Sequence, residues 1–208
     1  VVTDYGAPGR ALHDLARREH ADGLVVGCSH RGAIGRLLLG DDTRAALRDA
    51  PCMVAVAPPG YAHSDHQLQR IGVAHDGSSE SERALEAARD LWGGGSCQIV
   101  ARSVVGLQPA PDVGELLGWT EQTEQTIAAE RERLNALGGV VGDVVYGEPR
   151  ADLVAFAREV DALVVGSRGL GPIDRVLLGS ASSDLVGRAS CPLLVVGPKV
   201  SWPAPAAT

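Results

Sequence analysis

The sequence predicts an α/β chain: a doubly wound, parallel, five-stranded sheet, with an incomplete copy of the same fold ahead of it. Three observations carry this reading. Short runs rich in Val, Ile and Leu alternate with amphipathic helical stretches, the pattern of buried parallel strands joined by crossover helices. Three separate blocks recur: Asp22-Gly-Leu-Val-Val-Gly27 as Asp161-Ala-Leu-Val-Val-Gly166, Arg36-Leu-Leu-Leu-Gly40 as Arg175-Val-Leu-Leu-Gly179, and Ala50-Pro-Cys52 as Ala189-Ser-Cys191. All three share an offset of 139 positions without a gap, as a duplication requires. Finally, the stretch from Gly166 to Ser180 spaces its glycines as G-x2-G-x9-G-S between a strand and a helix, where backbone N–H groups and a helix dipole can hold an anion.

The elements follow in order. In the first copy, residues 1–3 read as the end of a strand and 6–9 as a turn. Residues 11–20 form a helix with Leu12, Leu15 and Ala16 on one face, and 24–26 a buried strand. A loop runs to Gly40, a short helix spans 43–49, a strand spans 53–57, and Pro58-Pro59-Gly60 stops it. Residues 61–69 are a polar linker; its His63 and His66 have no further ligands nearby and read as solvated rather than metal-binding.

The second copy opens with a strand at 71–75, a sharp turn at Asp76-Gly77-Ser78 and a helix started by a Ser79-x-x-Glu82 capping box. Its inner face carries Ala84, Leu85, Ala88, Leu91 and Trp92, and Gly93 to Gly95 end it. A strand at 98–105 and a loose segment at 106–118 lead to a polar helix at 120–137 with Ile127, Leu134 and Leu137 as its stripe. Next come a strand at 140–146, a turn at 147–149, a helix at 151–160 burying Leu153, Phe156 and Ala157, and a strand at 163–165. After the glycine-spaced loop, a helix at 181–188 and a strand at 193–196 complete the unit, and the Ala/Pro tail reads as disordered. The organisation is thus an incomplete repeat at 1–60, a linker at 61–69, a complete domain at 70–199 and a tail at 200–208. Measured by the offset, the first copy lacks roughly seventy residues at its front. It is therefore not expected to form a native-like domain alone.

Composition narrows the function. A net charge of −7 argues against broad binding to nucleic acid or anionic lipid. No apolar run reaches the ~18 residues of a membrane span, and no secretory signal is visible. Four cysteines without a C-x-x-C pair make a disulfide framework improbable, so the cytoplasm is the default and the cysteines read as small buried hydrophobes. There is no G-x-x-x-x-G-K-[ST] loop, paired carboxylate set, Ser-His-Asp constellation or metal cluster. Asp76 and Asp174 are the sole candidates for positioning a water, and Asp174 reads as a surface residue, so at most slow hydrolysis of a bound phosphate ester is expected.

Val73-Ala-His-Asp76-Gly-Ser at the first strand's end, the glycine spacing from Gly166 to Ser180, and Cys191-Pro-Leu-Leu-Val-Val before the tail resemble the universal stress protein family in its tandem form, with the first domain truncated. The resemblance implies a Rossmann-like sheet in the order 3-2-1-4-5 and ATP as ligand, with Mg²⁺ as its accompanying ion. By the same resemblance Asp76 would meet the nucleoside, and Ala74 and Val104 would border the adenine. Gly166, Arg168 and Gly169 would meet the phosphates, with Gly179, Ser180 and Ala181 closing on them. Arg168 fits a phosphate contact or a solvated loop position equally. His75 reads as a structural histidine with a satisfied ring. The first copy has His30 in place of Gly169 and Asp41 in place of Ser180, and a carboxylate there repels phosphate. The expected function is nucleotide binding in stress response or signalling. The alternatives are an interaction module without nucleotide and a nucleotide-using transferase or hydrolase. Self-association is expected through the fifth strand, with 53–56 as its pseudo-symmetric partner.

Overall fold

The computed structural model describes residues 7–27, 41–47, 50–63, 67–106, 116–167, 185 and 187–197. Readings that fall on 1–6, 28–40, 64–66, 107–115, most of 168–186 and the tail lie outside the described residues.

In chain order the elements are α1 (Pro8–Arg18), β1 (Gly23–Gly27), α2 (Asp41–Leu47), β2 (Met53–Ala57), a 3₁₀ turn (Tyr61–His63), β3 (Arg70–Ala74), α3 (Ser79–Trp92), β4 (Gln98–Gly106), α4 (Leu116–Ala136), β5 (Val141–Gly147), α5 (Pro149–Phe156), β6 (Ala162–Gly166) and β7 (Leu193–Val196). Several boundaries differ from the sequence reading for local reasons. Pro8 stands in the first turn of α1, where its missing N–H costs nothing, so the helix begins earlier than expected. Gly147-Glu148-Pro149, read as a turn, is the start of α5: the Glu148 side chain accepts from Ala151 N and Pro149 follows it. The cap of α3 is one residue earlier than the expected box. The Ser78 side chain accepts from Ser81 N, and Ser81 Oγ returns a bond to Ser78 O. Glu82 is thereby free to turn toward His75.

The strands form one seven-stranded sheet in the order β1-β2-β7-β6-β3-β4-β5. All neighbours are parallel except β2 and β7, which pair antiparallel through Val54–Val195, Ala55–Leu194 and Val56–Leu193. The sheet is therefore mixed and continuous across both segments, where the sequence reading gives a parallel five-stranded sheet after an incomplete copy, with 53–56 as the fifth strand's pseudo-symmetric partner. Two similar edge strands that meet about a local two-fold run antiparallel, and each supplies the ladder bonds the other lacks. Within the described residues β7 has a neighbour on either side.

Side chains alternate between two faces. On one, α5 and Leu185 cover Val100, Leu163, Val165, Leu193 and Val195; Leu47, Val54 and Val56 belong to the same core, tying the first segment to the second. On the other, α3 covers Ile71, Val73, Ile99 and Val164, and α4 adds Leu134 against Ala101 and Val144. Leu91 of α3, expected inside, is partly exposed, while Ala87 is buried. The offset of 139 pairs Val25 with Val164: Val25 is 78% exposed and Val164 0%. Among the described residues β1 is the sheet's edge and Val25 is left exposed, whereas Val164 shares a core cluster with residues of α3.

Packing is close where α5 meets β3. A Cβ at Gly72 would lie 2.9 Å from Phe156 Cε1 and 3.1 Å from Leu163 Cδ1. Gly72→Ala should lower stability by about 1–3 kcal/mol through overpacking, read as a fall in the urea midpoint at unchanged slope; an unchanged midpoint would contradict this packing.

Candidate functional site

After β3 the chain enters α3 on one face of the sheet, and Leu185, which follows β6 in the chain, packs with α5 on the other. The carboxyl ends of these two neighbours therefore open a crevice, the usual ligand position in a doubly wound sheet. A cavity of about 160 Å³ sits there. Ala74, His75 and Asp76 from the end of β3 form one wall, Arg102 and Val104 of β4 a second, and Val165 and Gly166 of β6 a third; Pro149 and Leu153 of α5 and Ser81 of α3 close it. Ala74, Asp76, Val104 and Gly166 of the predicted site are thus brought to one cavity. Arg168, Gly169, Gly179, Ser180 and Ala181 lie outside the described residues.

The local chain explains each position. Gly77, at φ +79°, makes the sharp turn after β3 that an L side chain resists. The Asp76 carboxylate accepts from Ser78 N at 3.0 Å, which orders this turn. Gly166 is required by packing as well as by any ligand: a Cβ there would come within 2.7 Å of the Glu80 carbonyl oxygen. The first turn of α3 thus rests directly on the end of β6.

Two polar side chains at the cavity, Arg102 and His75, have partners that only the three-dimensional structure supplies. Arg102 is buried yet fully engaged. Its Nε donates to Asp143 at 2.7 Å, its two terminal nitrogens donate to Glu159 at 3.2 and 2.8 Å, and its guanidinium lies 4.0 Å from the Phe156 ring centre. Burial opposes the charge of Arg102, but the bonds to Glu159 and Asp143 outweigh it and raise its pKa; the same bonds hold the Glu159 carboxyl below its ordinary range. Arg102 ties β4 to β5 and to the segment after α5. The one signal in the sequence was an arginine inside an otherwise apolar strand, and nothing in it named the partners.

His75 is the second group. Its ring is buried, with Nε2 3.2 Å from Glu82 Oε1 and Nδ1 3.2 Å from an Arg133 nitrogen. Arg133 can only donate, so Nδ1 accepts and Nε2–H donates to Glu82: the ring is neutral with both nitrogens satisfied. Burial pushes the pKa of His75 down and Arg133 adds to this, against the opposing pull of Glu82 and Asp76. Arg133 also grips Glu130, whose carboxyl is held low chiefly by that bond. The buried Cys191 thiol is pushed up to about 11 and stays protonated, in keeping with a packing role. Among the described residues no group of His, Cys, Asp and Glu could hold a metal ion, and no helix is long and apolar enough to cross a membrane.

Comparison with known proteins follows this geometry. The model of the universal stress protein family matches residues 1–58 and 67–197. A universal stress protein of Mycolicibacterium smegmatis is 32% identical over 199 residues, covering 91% of this chain and 66% of that protein. Universal stress protein Rv2005c of Mycobacterium tuberculosis is 33% identical over 185 residues, covering 84% of this chain and 61% of that protein. The chain thus spans less than two thirds of the length of these relatives. Among solved structures, a universal stress protein from Archaeoglobus fulgidus superposes with a TM-score of 0.65 at 21% identity, covering 95% of this chain and 70% of that one. One from Pseudomonas aeruginosa gives 0.70 at 16% identity, covering 95% and 70%.

The lowered pKa of His75 has a consequence for stability. The unfolded chain takes up this proton near pH 6.5, while the folded chain resists it to lower pH, so stability is lost as pH falls below about 6.5. Urea unfolding at pH 7.5 and 5.5 should show a larger loss for the native chain than for His75→Gln; equal losses would mean that His75 titrates alike in both states.

Proposed function

The chain belongs to the universal stress protein family, and within it we propose that residues 70–199 bind ATP or a related nucleotide in the cavity between β3 and β6. Family membership supports a role in stress response. One observation supports the nucleotide reading above others: Asp76 and Gly166, ninety positions apart, meet with Ala74 and Val104 at the crevice where a doubly wound sheet takes its ligand. In this reading Ala74 and Val104 flank the base, Asp76 meets the ribose, and Gly166, Arg168, Gly169, Gly179, Ser180 and Ala181 receive the phosphates, with Mg²⁺ arriving on ATP. The protein acts by binding, in the cytoplasm, with conformation or partner choice as the output. Hydrolysis is at most slow.

The order β5-β4-β3-β6-β7 supports reading residues 70–199 as one repeat of the 3-2-1-4-5 kind. Residues 1–60 are then part of a second repeat, in which β1 and β2 correspond to β6 and β7 by the offset of 139. His30 and Asp41 remove nucleotide binding from that part. The expected self-association through the fifth strand takes, in this reading, an internal form: β2 supplies to β7 the edge that a second copy would. The competing reading, an interaction module of the same fold without nucleotide, is favoured by one fact: packing against Glu80 already explains Gly166.

Calorimetric titration with ATP separates the two. Binding is expected, and Asp76→Asn, which keeps the turn acceptor, should weaken it about tenfold, as should Gly169→Val and Ser180→Ala. No heat of binding would favour the interaction module, binding unchanged in all three variants would refute the site assignment, and ATP turnover well above background would make the protein an enzyme.

A further inference from the structure

Around His75 four elements meet, and their contacts form a line from α4 to the cavity. Arg133 of α4 is fixed to Glu130 one turn back through two bonds, of 2.8 and 2.7 Å. Its NH2 nitrogen reaches His75 Nδ1 at 3.2 Å. The same guanidinium lies over Gly77, its atoms 3.7–3.8 Å from where a Cβ would stand. On the far side His75 Nε2 meets Glu82 of α3 at 3.2 Å. The backbone N–H of His75 donates to Arg102 O at 2.9 Å, so the residue is still part of the ladder. Asp76, the next residue, then enters the cavity wall.

We propose that Arg133 is a positioning residue of the cavity: through His75 and across Gly77 it fixes the turn that carries Asp76, and it does so only while His75 is neutral. The proposal rests on the nucleotide reading for its ligand, but the relay itself is a property of the ligand-free chain. The logic lies in the donor inventory. A guanidinium has donors only, so it can bond Nδ1 only through that atom's lone pair. A proton on Nδ1 would leave two donors facing each other and two positive charges about 3 Å apart. Glu82 from α3 would hold the protonated ring, and Glu130 would keep Arg133 on α4, so the bond that breaks is the one between them. The charged groups facing the ring are Glu82, Arg133, Glu130 and Asp76, and the three carboxylates favour its protonation against the effect of Arg133 and of burial. The loss of the Arg133 bond uncovers Gly77 and frees the Asp76–Ser78 turn, so the cavity binds its ligand more weakly as pH falls.

Two measurements on the full chain test this. The first follows amide hydrogen exchange of Gly77 and Ser78 without ligand, corrected for the intrinsic pH dependence, from pH 8 to 5. Protection should fall with His75 titration in the native chain, be low and flat in Arg133→Leu, and be flat in His75→Gln, which keeps a donor and an acceptor but does not titrate. The second measures affinity for adenosine, which has no group titrating in that range. It should fall about fivefold toward pH 5 in the native chain and stay flat in His75→Gln, while Arg133→Leu is weaker by a similar factor at pH 8. Equal protection of Gly77 and Ser78 in Arg133→Leu and the native chain at every pH would overturn the relay. A native adenosine profile that does not fall with pH would overturn the coupling to the cavity. Absence of adenosine binding at all pH values, with the exchange pattern as expected, would leave the relay supported and count against the nucleotide reading.

Discussion

Strand β3 is held on both sides by parallel ladders, with Ile71, Gly72 and Val73 opposite Ala162, Leu163 and Val164 of β6 and opposite Ile99, Val100 and Ala101 of β4. At its start the Asp161 carboxylate accepts from both Gln69 N and Arg70 N at 2.8 Å, so the beginnings of β3 and β6 are fixed to each other. Charge-assisted bonds of this kind are among the stronger polar contacts in a protein. The cavity depends on this pairing. Its walls include the ends of β3 and β6, past the last pair of their shared ladder, at strand carboxyl ends where a doubly wound sheet takes its ligand. A slip of one residue in β3 would exchange Ala74 and His75 between the two faces of the sheet and abolish both the cavity wall and the buried histidine cluster.

Close approach is the second constraint, and glycine answers it twice. Gly72 leaves the space in which Phe156 lies on the sheet, and Gly166 lets the first turn of α3 touch β6. A glycine in a ligand-binding pattern can thus be demanded by packing before any ligand is considered. The same economy holds for charge. Arg102 joins β4 to Asp143 and Glu159, and Arg133 joins α4 to the turn after β3. Arg102 lines the cavity, and Arg133 contacts His75, which lines it too.

The first segment shows how far a partial unit depends on its neighbour. Strand β2 borrows its second ladder from β7, and Leu47, Val54 and Val56 share a core with α5 and β6. Among the described residues no strand lies beyond β1, and Val25 is exposed while its counterpart Val164 is buried. Equivalent valines at an offset of 139 therefore differ in burial, because burial is a property of the neighbours that reach a side chain and not of the side chain itself.

Periodicity in the sequence determined the strands at 53–57 and 193–196, the alternation of strands and helices, the internal repeat, and the family to which its motifs point. These are local regularities: a buried strand must be apolar, a sharp turn needs Gly77, and a repeat keeps its spacing. Ala74, Asp76, Val104 and Gly166 were named together through the family resemblance, Asp76 and Gly166 also by their place just past strand ends, and the structure lines one cavity with all four. The sequence offered 53–56 as a partner for the fifth strand, but the tertiary structure alone decided the antiparallel sense of that joint, the single seven-stranded sheet, the partners of Arg102, and the seating of His75 between Glu82 and Arg133. Each joins residues through edges or long flexible side chains whose sequence distance carries no signal. Such contacts are chosen by which groups remain unsatisfied once the elements have packed.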